Sequence, residues 1–426
     1  MVITGLSLKI EKIPLRTPFV TALRRVDHVE NIVLALHTDT ALVGEGAAPA
    51  TKAVTGEDLE SISDTVRNKI FPSFYGHSFD LEKLVSLTHR SCGGNNSAKA
   101  AVEIALYDLA SRLKNQNLAE FLGGGPIELK TAVTISLNKP EVMAKDAATA
   151  FARGFNILKI KVGGGDGMDI ERIKAVHKAA PKAKLLVDAN QAWDAKESLN
   201  IIAAVENLDI KLIEQPVNGK DTEGLKFVTK NSDIPILADE AVFTLEDAKK
   251  IIDQNAADMI NIKLMKCGGI SKAIEIIQYC RSYNVKCMMG SMLEGPVSIT
   301  AAAQLVMAYP DVFSYIDLDS PLLYEKIPSE SEIEFFNNIL SLKKYEPYYV
   351  YIVKCSDDTY YTGIAKDVEK RILEHNGSKK GARYTRIRRP VELVYKECHK
   401  SKSSALKCEM EIKKMARAQK EKLIGR

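Results

Sequence analysis

Several things are missing from this chain, and each absence excludes a class of protein. No run of about 18 uncharged apolar residues occurs, so no membrane-spanning helix is expected. The opening MVITGLSLKIEKIPL lacks the basic, apolar and small-residue zones of a signal peptide, which predicts a cytoplasmic protein. Seven cysteines are scattered without a CxxC pair or framework spacing, so reduced and mostly buried thiols are expected rather than disulfides. No Gly/Ser-rich linker interrupts the chain. Its apolar fraction of 46% is ordinary for a globular protein, and 426 residues predict two or three domains.

Charge is unevenly placed. Residues 347–426 hold 20 lysines and arginines against 10 acidic residues, whereas residues 1–346 hold 39 against 45. An acidic body with a basic end points to a nucleic-acid contact at that end.

What is present begins with five short apolar runs: ILKIKV (157–162), LLVDAN (185–190), LIEQP (212–216), ILADE (236–240) and MINIKL (259–264). Helical segments such as DIERIKAVHKAA and TLEDAKKIIDQNA lie between them, which predicts a parallel sheet of βαβ units. The charged residues of these runs recur at nearly constant steps. Lys161 to Asp188 is 27 residues, then 26 to Glu214, 25 to Asp239 and 24 to Lys263. One βα unit per step places each at the carboxyl end of successive strands, where a (β/α)8 barrel keeps its active site. Any one alone reads as a solvated strand end; five in register read as a site. Three carboxylates from neighbouring strands need a cation between them, and an all-oxygen set suits Mg²⁺. A lysine on each side suggests proton transfer on two faces of a bound carbon acid. Nearby cations and desolvation are expected to lower the pKa of one of them. The barrel would begin at TAVTISL (131–137) and end with CMMGSM (287–292) and YIDLD (315–319). Asp317 and Asp319 share one side of that last strand. They either hold a cationic group or simply face water.

Residues 1–125 read as an α+β unit with strands in ITGLSLKIEKIPL, ENIVLALHTD and ALVGEGAA. Two helices are expected, over GEDLESISDTVRNKIFPSF and over the Ala-rich, amphipathic segment 96–116. PFVTALRRVDH (18–28) reads as a polar loop, either solvated or a lid carrying an anion-binding arginine.

KIK, VDAN, IEQP, ADE and NIKLMKCGG together resemble the dipeptide epimerases of the enolase superfamily, in the muconate-lactonising branch. The resemblance covers residues 1 to about 346. It implies an α/β fold: a capping domain (1–125) over a modified (β/α)7β barrel (126–320), with the rest of the cap in 321–346. It also implies Lys161 and Lys263 as acid/base catalysts, Lys159 as their helper, and Mg²⁺ on Asp188, Glu214 and Asp239. By the same resemblance, Asp317 and Asp319 bind a dipeptide's α-ammonium, and Arg24 binds the side-chain carboxylate of a C-terminal glutamate. L-Ala-D/L-Glu is then the expected substrate; muconate cycloisomerase and o-succinylbenzoate synthase are the alternatives, against which the DLD pair argues. The cap looks shortened, because IEFFNNILSLKKYEP (333–347) supplies two strands and no Gly-Leu-Gly segment follows.

Residues 347–426 resemble a small GIY-YIG nuclease domain of the stand-alone bacterial type, with a hairpin around SDDT and a final helix over 404–424. The resemblance implies Tyr351 in the first motif, Tyr361 and Gly363 in the second, Arg371 and His375 on one helix face, and Glu409 holding a second divalent metal. The run RYTRIRR (383–389) suits phosphate contact and base stacking, so DNA or another nucleic acid is the expected partner. Two functions of different class thus stand: an epimerase with an appended nuclease, or a nucleic-acid protein with an inactive barrel. Oligomerisation is left open.

Overall fold

The computed structural model describes residues 1–40, 42–328, 331–343, 348–399 and 402–425, without the side chains of 403 and 404. Two compact units divide it, Met1–Leu342 and Lys343–Arg426. The boundary read between 346 and 347 lies outside the described residues. No described helix is long and apolar enough to cross a membrane, and all seven cysteines are free, four of them buried.

The first unit opens with a three-stranded antiparallel sheet: β1 (Ile3–Val20), β2 (Arg25–Thr38) and β3 (Val43–Pro49). Alternation carries β1 and β2 further than the polar sequence between them suggests. Phe19 still pairs with Val26 and Val20 with Arg25, so the expected long loop shrinks to a tight connection, Thr21–Arg24. The helix Asn96–Leu113 also differs from expectation. It is buried without a break from Ser97 to Leu106, a central element and not an amphipathic cover. Its alanines permit this, because β3 meets it through glycines. A Cβ on Gly46 would lie 1.9 Å from the Ala101 carbonyl oxygen. The segment expected as one helix before it breaks into three pieces: an α-helix (Leu59–Asp64), a π-helical turn (Thr65–Ile70) and a 3₁₀ turn (Phe71–Ser73) ahead of the buried Phe74.

Eight parallel strands then form one sheet: β5 (Val133–Ile135), β6 (Ile157–Lys161), β7 (Lys184–Asp188), β8 (Ile210–Glu214), β9 (Ile236–Ala238), β10 (Met259–Ile262), β11 (Lys286–Gly290) and β12 (Phe313–Asp317). Its two edges meet where Ala132 N donates to Ile316 O at 2.7 Å, which nearly closes a barrel. Leu186, Leu212, Leu237, Met259 and Met288 fill its interior. Side chains two apart share a strand face. The residues two steps beyond the first three of these are Asp188, Glu214 and Asp239, so the apolar plug and the charges above it belong to the same inward face. Between the two sheets lies β4 (Leu129–Lys130), joined by the hairpin of β13 (Ile333–Phe336) and β14 (Ile339–Leu342). Leu340 pairs with Leu129 and is buried there, as is Ile333.

The second unit is an antiparallel sheet in the order β16 (Tyr360–Ala365), β15 (Tyr348–Cys355), β17 (Val391–His399). Asp358 takes the left-handed conformation (φ 66°) at the β15–β16 turn. The helix Val368–Gly377 packs on the face of Tyr351 and Val353; the opposite face, with Val350 and Ile352, is covered by Ala405 and Ile412. The single terminal helix expected over 404–424 is two, Lys402–Lys414 and Arg417–Ile424, because Ala416 is extended (ψ 158°).

Gly46→Ala forces a methyl group into a helix backbone that cannot retreat. It should destabilise the first unit by about 1–3 kcal/mol, read as a lowered unfolding midpoint in urea.

Candidate functional site

In a ring of eight strands, β6 and β10 lie four places apart, on opposite sides of the barrel. Lys161 ends β6 and Lys263 follows β10, so the two lysines flank the mouth while Asp188, Glu214 and Asp239 occupy the arc between. Lys159 reaches the middle of this arc. Its Nζ is 2.7 Å from Glu214, 2.7 Å from Asp317 and 3.1 Å from Asp188, with 1% of its side chain exposed. Lys161 Nζ lies 2.5 Å from Asp188, and Lys263 Nζ lies 2.6 Å from Asp239. One cavity is lined by both catalytic candidates and by Arg24, Asp317 and Asp319. Arg24 faces it from the Thr21–Arg24 connection, whereas Arg25 is exposed on β2. Thr134 N donates to Asp319 at 2.6 Å.

Sequence reasoning missed Lys266. Its Nζ, buried beneath Asp239, donates to that carboxylate at 2.6 Å and to the Asn261 carbonyl at 3.0 Å. The signal was the second lysine of NIKLMK, three residues after Lys263. It also missed Asn261, whose amide donates to Glu214 at 2.8 Å, and Gln215, whose oxygen accepts from Asp239 N and Ala241 N.

The electrostatics follow from burial. Desolvation alone would raise all the carboxyls. At Asp188 the surrounding lysines, Lys161 and Lys159 first, outweigh it and hold the group at about 2. At Asp239, Lys263 and Lys266 likewise win and lower it. At Glu214 desolvation and the neighbouring Asp188 prevail, pushing it up to about 8. Desolvation works to depress Lys263, but Asp239 overrides it and raises the ammonium above its ordinary value. The lowering expected for one of the two lysines is therefore not found at Lys263, whose bonded carboxylate the neighbouring-cation argument does not count.

The donor chemistry of Asp188, Glu214 and Asp239 suits a divalent cation, although here lysine ammoniums bridge these carboxylates and their oxygens do not all lie within 4.8 Å of one another. Asp188, Glu214 and Asp239 are at most 1% exposed, and all donors are oxygens. Glu214 Oε2 accepts no aligned hydrogen bond although the Lys159 ammonium is near. Around them Asp317 and Asp319 are also buried and Glu240 is half-buried, and Lys159, Lys161, Lys263 and Lys266 are the buried cations bonded to this cluster.

The second unit gathers its own constellation. Tyr351 Oη meets His375 Nε2 at 2.8 Å, and Thr385 Oγ1 lies 2.7 Å from His375 Nδ1. Ala382 N donates to that Nδ1, so the ring proton sits on Nε2 and points at Tyr351. Burial, then the charge of Arg371, lowers His375 to about 4, so it is neutral at physiological pH. Burial raises Tyr351 to about 12, against the pull of Arg371, which hydrogen-bonds it. Tyr361 lies 5.3 Å from the His375 ring and stacks on Tyr384. Gly363 pairs with Tyr351, and a Cβ there would come 2.7 Å from the Tyr351 hydroxyl. Glu409 is mostly buried and paired with Lys413 at 2.9 Å. The basic run expected to contact phosphate divides. Arg388 pairs with Asp357 and Arg389 donates to backbone carbonyls, while Arg383 and Arg386 remain exposed.

Comparisons with known proteins match both units. The N-terminal domain model of mandelate racemase/muconate lactonizing enzymes matches residues 4–123, the enolase C-terminal domain-like model matches 142–342, and the GIY-YIG catalytic domain model matches 347–422. An L-amino acid-D/L-Glu epimerase of Sulfurimonas denitrificans is 46% identical over 79% of this chain and 98% of its own length. The substrate-liganded L-Ala-D/L-Glu epimerase of Bacillus subtilis superposes with TM-score 0.78 at 39% identity, covering 80% of this chain and 97% of that one. A dipeptide epimerase of Enterococcus faecalis, complexed with Mg and L-Leu-L-Tyr, gives TM-score 0.78 at 35% identity over 81% and 98%. The chain belongs to the dipeptide epimerases of the enolase superfamily, which are isomerases, and carries a GIY-YIG domain behind the barrel.

Proposed function

We propose that the barrel epimerises a dipeptide of the L-Ala-L-Glu type at the α-carbon of its C-terminal residue, by proton transfer between Lys161 and Lys263. The observation that carries this is one cavity lined by two opposed lysines, with Arg24 and the Asp317/Asp319 pair also facing it. The α-proton of a carboxylate is very weakly acidic because its removal puts a second negative charge on that group. Asp188, Glu214 and Asp239 would hold a divalent cation, which would supply electrostatic stabilisation of that second charge. Lys159 adds fixed positive charge beside it. Lys263, kept protonated by Asp239, is the acid on one face; Lys161 takes the proton from the other, and the roles exchange in the reverse direction. The Asp317/Asp319 pair suits the substrate's α-ammonium, and Arg24 suits a side-chain carboxylate through its two-pronged guanidinium.

The test is α-proton exchange in D₂O with L-Ala-L-Glu and Mg²⁺, followed by NMR. Exchange should fall at least about 100-fold in both Lys161→Ala and Lys263→Ala. Arg24→Met should raise KM for this dipeptide about tenfold or more while sparing dipeptides with an apolar C-terminal residue. Equal losses on both substrates would remove the role given to Arg24.

Asp319 adds a pH dependence. Burial, then Asp317, raises its carboxyl to about 7. It is therefore ionised above that pH and neutral below it, and its attraction for an ammonium is lost as pH falls through about 7. kcat/KM should decline on the acid side with a limb that Asp319→Asn removes.

For the second unit we infer metal-dependent phosphodiester cleavage. Tyr351, hydrogen-bonded to His375 and kept a neutral phenol by burial, is placed to orient the attacking water. Arg371 offers charge to a phosphate, and Glu409 offers a carboxylate to a second divalent cation. Gly363→Ala would push on the Tyr351 hydroxyl and should cut nuclease activity at least tenfold while leaving dipeptide exchange unchanged. Cleavage of labelled DNA and RNA, assayed with Glu409→Ala as control, reads this directly. No cleavage by the wild-type chain, with retained binding, would reduce the unit to a nucleic-acid binder.

A further inference from the structure

Among the described residues, one group of three His, Cys, Asp or Glu side chains brings its ligand atoms all within 4.8 Å of one another, and it belongs to neither site above. Its members are Glu397 and His399 on β17 and Cys408 on the helix Lys402–Lys414. Glu397 pairs with Val350 and His399 with Tyr348, which places both on the sheet face that carries Val350 and Ile352. The Tyr351–His375–Tyr361 constellation lies on the other face. All three members are half-buried.

We propose that Glu397, His399 and Cys408 form a zinc site that fastens the Lys402–Lys414 helix to β17. Imidazole nitrogen, thiolate sulfur and carboxylate oxygen make a mixed, borderline-soft set, which suits Zn²⁺ and not the Mg²⁺ of an all-oxygen site. With Zn–N and Zn–O near 2.1 Å and Zn–S near 2.3 Å, tetrahedral edges are about 3.4 Å and about 3.6 Å. His399 Nε2 lies 3.4 Å from Glu397 Oε1, and the Cys408 thiol donates to the other oxygen, Oε2, at 3.6 Å. With the ligand atoms all within 4.8 Å, ligation through one carboxylate oxygen replaces that thiol hydrogen bond and needs only a small shift to reach those edges. His399 Nε2 is a buried atom without a hydrogen-bond partner, although it faces a carboxylate. A cation between the two groups satisfies both. Tyr395 Oη donates to Glu397 Oε2 at 2.5 Å and orients the carboxylate, as outer partners of metal ligands do. Three protein ligands leave a fourth position for water. The consequence reaches the nuclease constellation through the chain, because Glu409 directly follows Cys408. Fixing Cys408 fixes the helical turn that presents Glu409.

The experiment uses Co²⁺ as a spectroscopic stand-in, added to the full, reduced chain in excess Mg²⁺ so that the barrel carboxylates are occupied. The expected result is a near-ultraviolet thiolate-to-cobalt charge-transfer band at one equivalent, with the visible absorption of tetrahedral cobalt, both displaced by Zn²⁺. Cys408→Ser should abolish the charge-transfer band, and Cys398→Ser, at the exposed neighbouring thiol, should leave it intact. His399→Ala and Glu397→Gln, which keep the thiol, should each weaken Zn²⁺ binding at least tenfold. Far-ultraviolet circular dichroism separates lost ligation from lost folding in Cys408→Ser. No charge-transfer band in the wild-type chain, a band that survives Cys408→Ser, or unchanged affinity in both ligand variants that keep the thiol would overturn the proposal.

Discussion

The first unit depends on one electrostatic constraint: six carboxyl groups stand together at the end of a barrel that excludes water. Uncompensated, they could not all ionise, because desolvation and mutual repulsion both favour the protonated form. Four lysines answer them, each from a strand end or the turn after it, and each within hydrogen-bonding distance of a carboxylate. Placement by the sheet is what makes this affordable. Since alternate residues share a face, the apolar plug of Leu186, Leu212 and Leu237 carries Asp188, Glu214 and Asp239 to the mouth with no further device. Burial acts to raise all three of these carboxyls, and their unequal pairing with lysines sets their different proton affinities.

That face-sharing rule also explains how much could be read beforehand. Steps of 27, 26, 25 and 24 residues are legible because strand ends in a βα repeat return at near-constant intervals. Lys266 was not legible, because its partners are the Asp239 side chain and the Asn261 carbonyl, and a carbonyl leaves no mark in composition. The raised Lys263 was not legible for a related reason: the pairing with Asp239 needs the geometry of two neighbouring strands. Where alternation was masked by prolines and threonines, as in Pro14–Val20, strand continued through what looked like loop. Where alanine dominated, burial on every side was mistaken for one-sided amphipathicity, since alanine marks neither face strongly.

In the second unit the motif residues were legible and their wiring was not. Tyr351, Tyr361, Gly363, Arg371 and His375 converge as the resemblance implied, yet Thr385 and the Ala382 amide decide which histidine nitrogen carries the proton. Arg388 and Arg389 look like partners for phosphate in one dimension. In three, they hold Asp357 and the carbonyls around the end of the Val368–Gly377 helix. Charge counts therefore overstate the surface available to a polyanion.

The short connection Thr21–Arg24 has a consequence for how such an enzyme diversifies. Its flank is tied to the barrel by Val20, whose carbonyl accepts from Leu137 N at 3.0 Å, and its turn is held by Thr21, whose Oγ1 accepts from Leu23 N and Arg24 N. No metal ligand or catalytic lysine sits on it. On the roles proposed above, Ala22, Leu23 and Arg24 could be exchanged by drift or recombination while proton transfer proceeded unaltered beneath them. Selectivity and reactivity would then be inherited separately, which would let a lineage try new dipeptides at little risk to turnover.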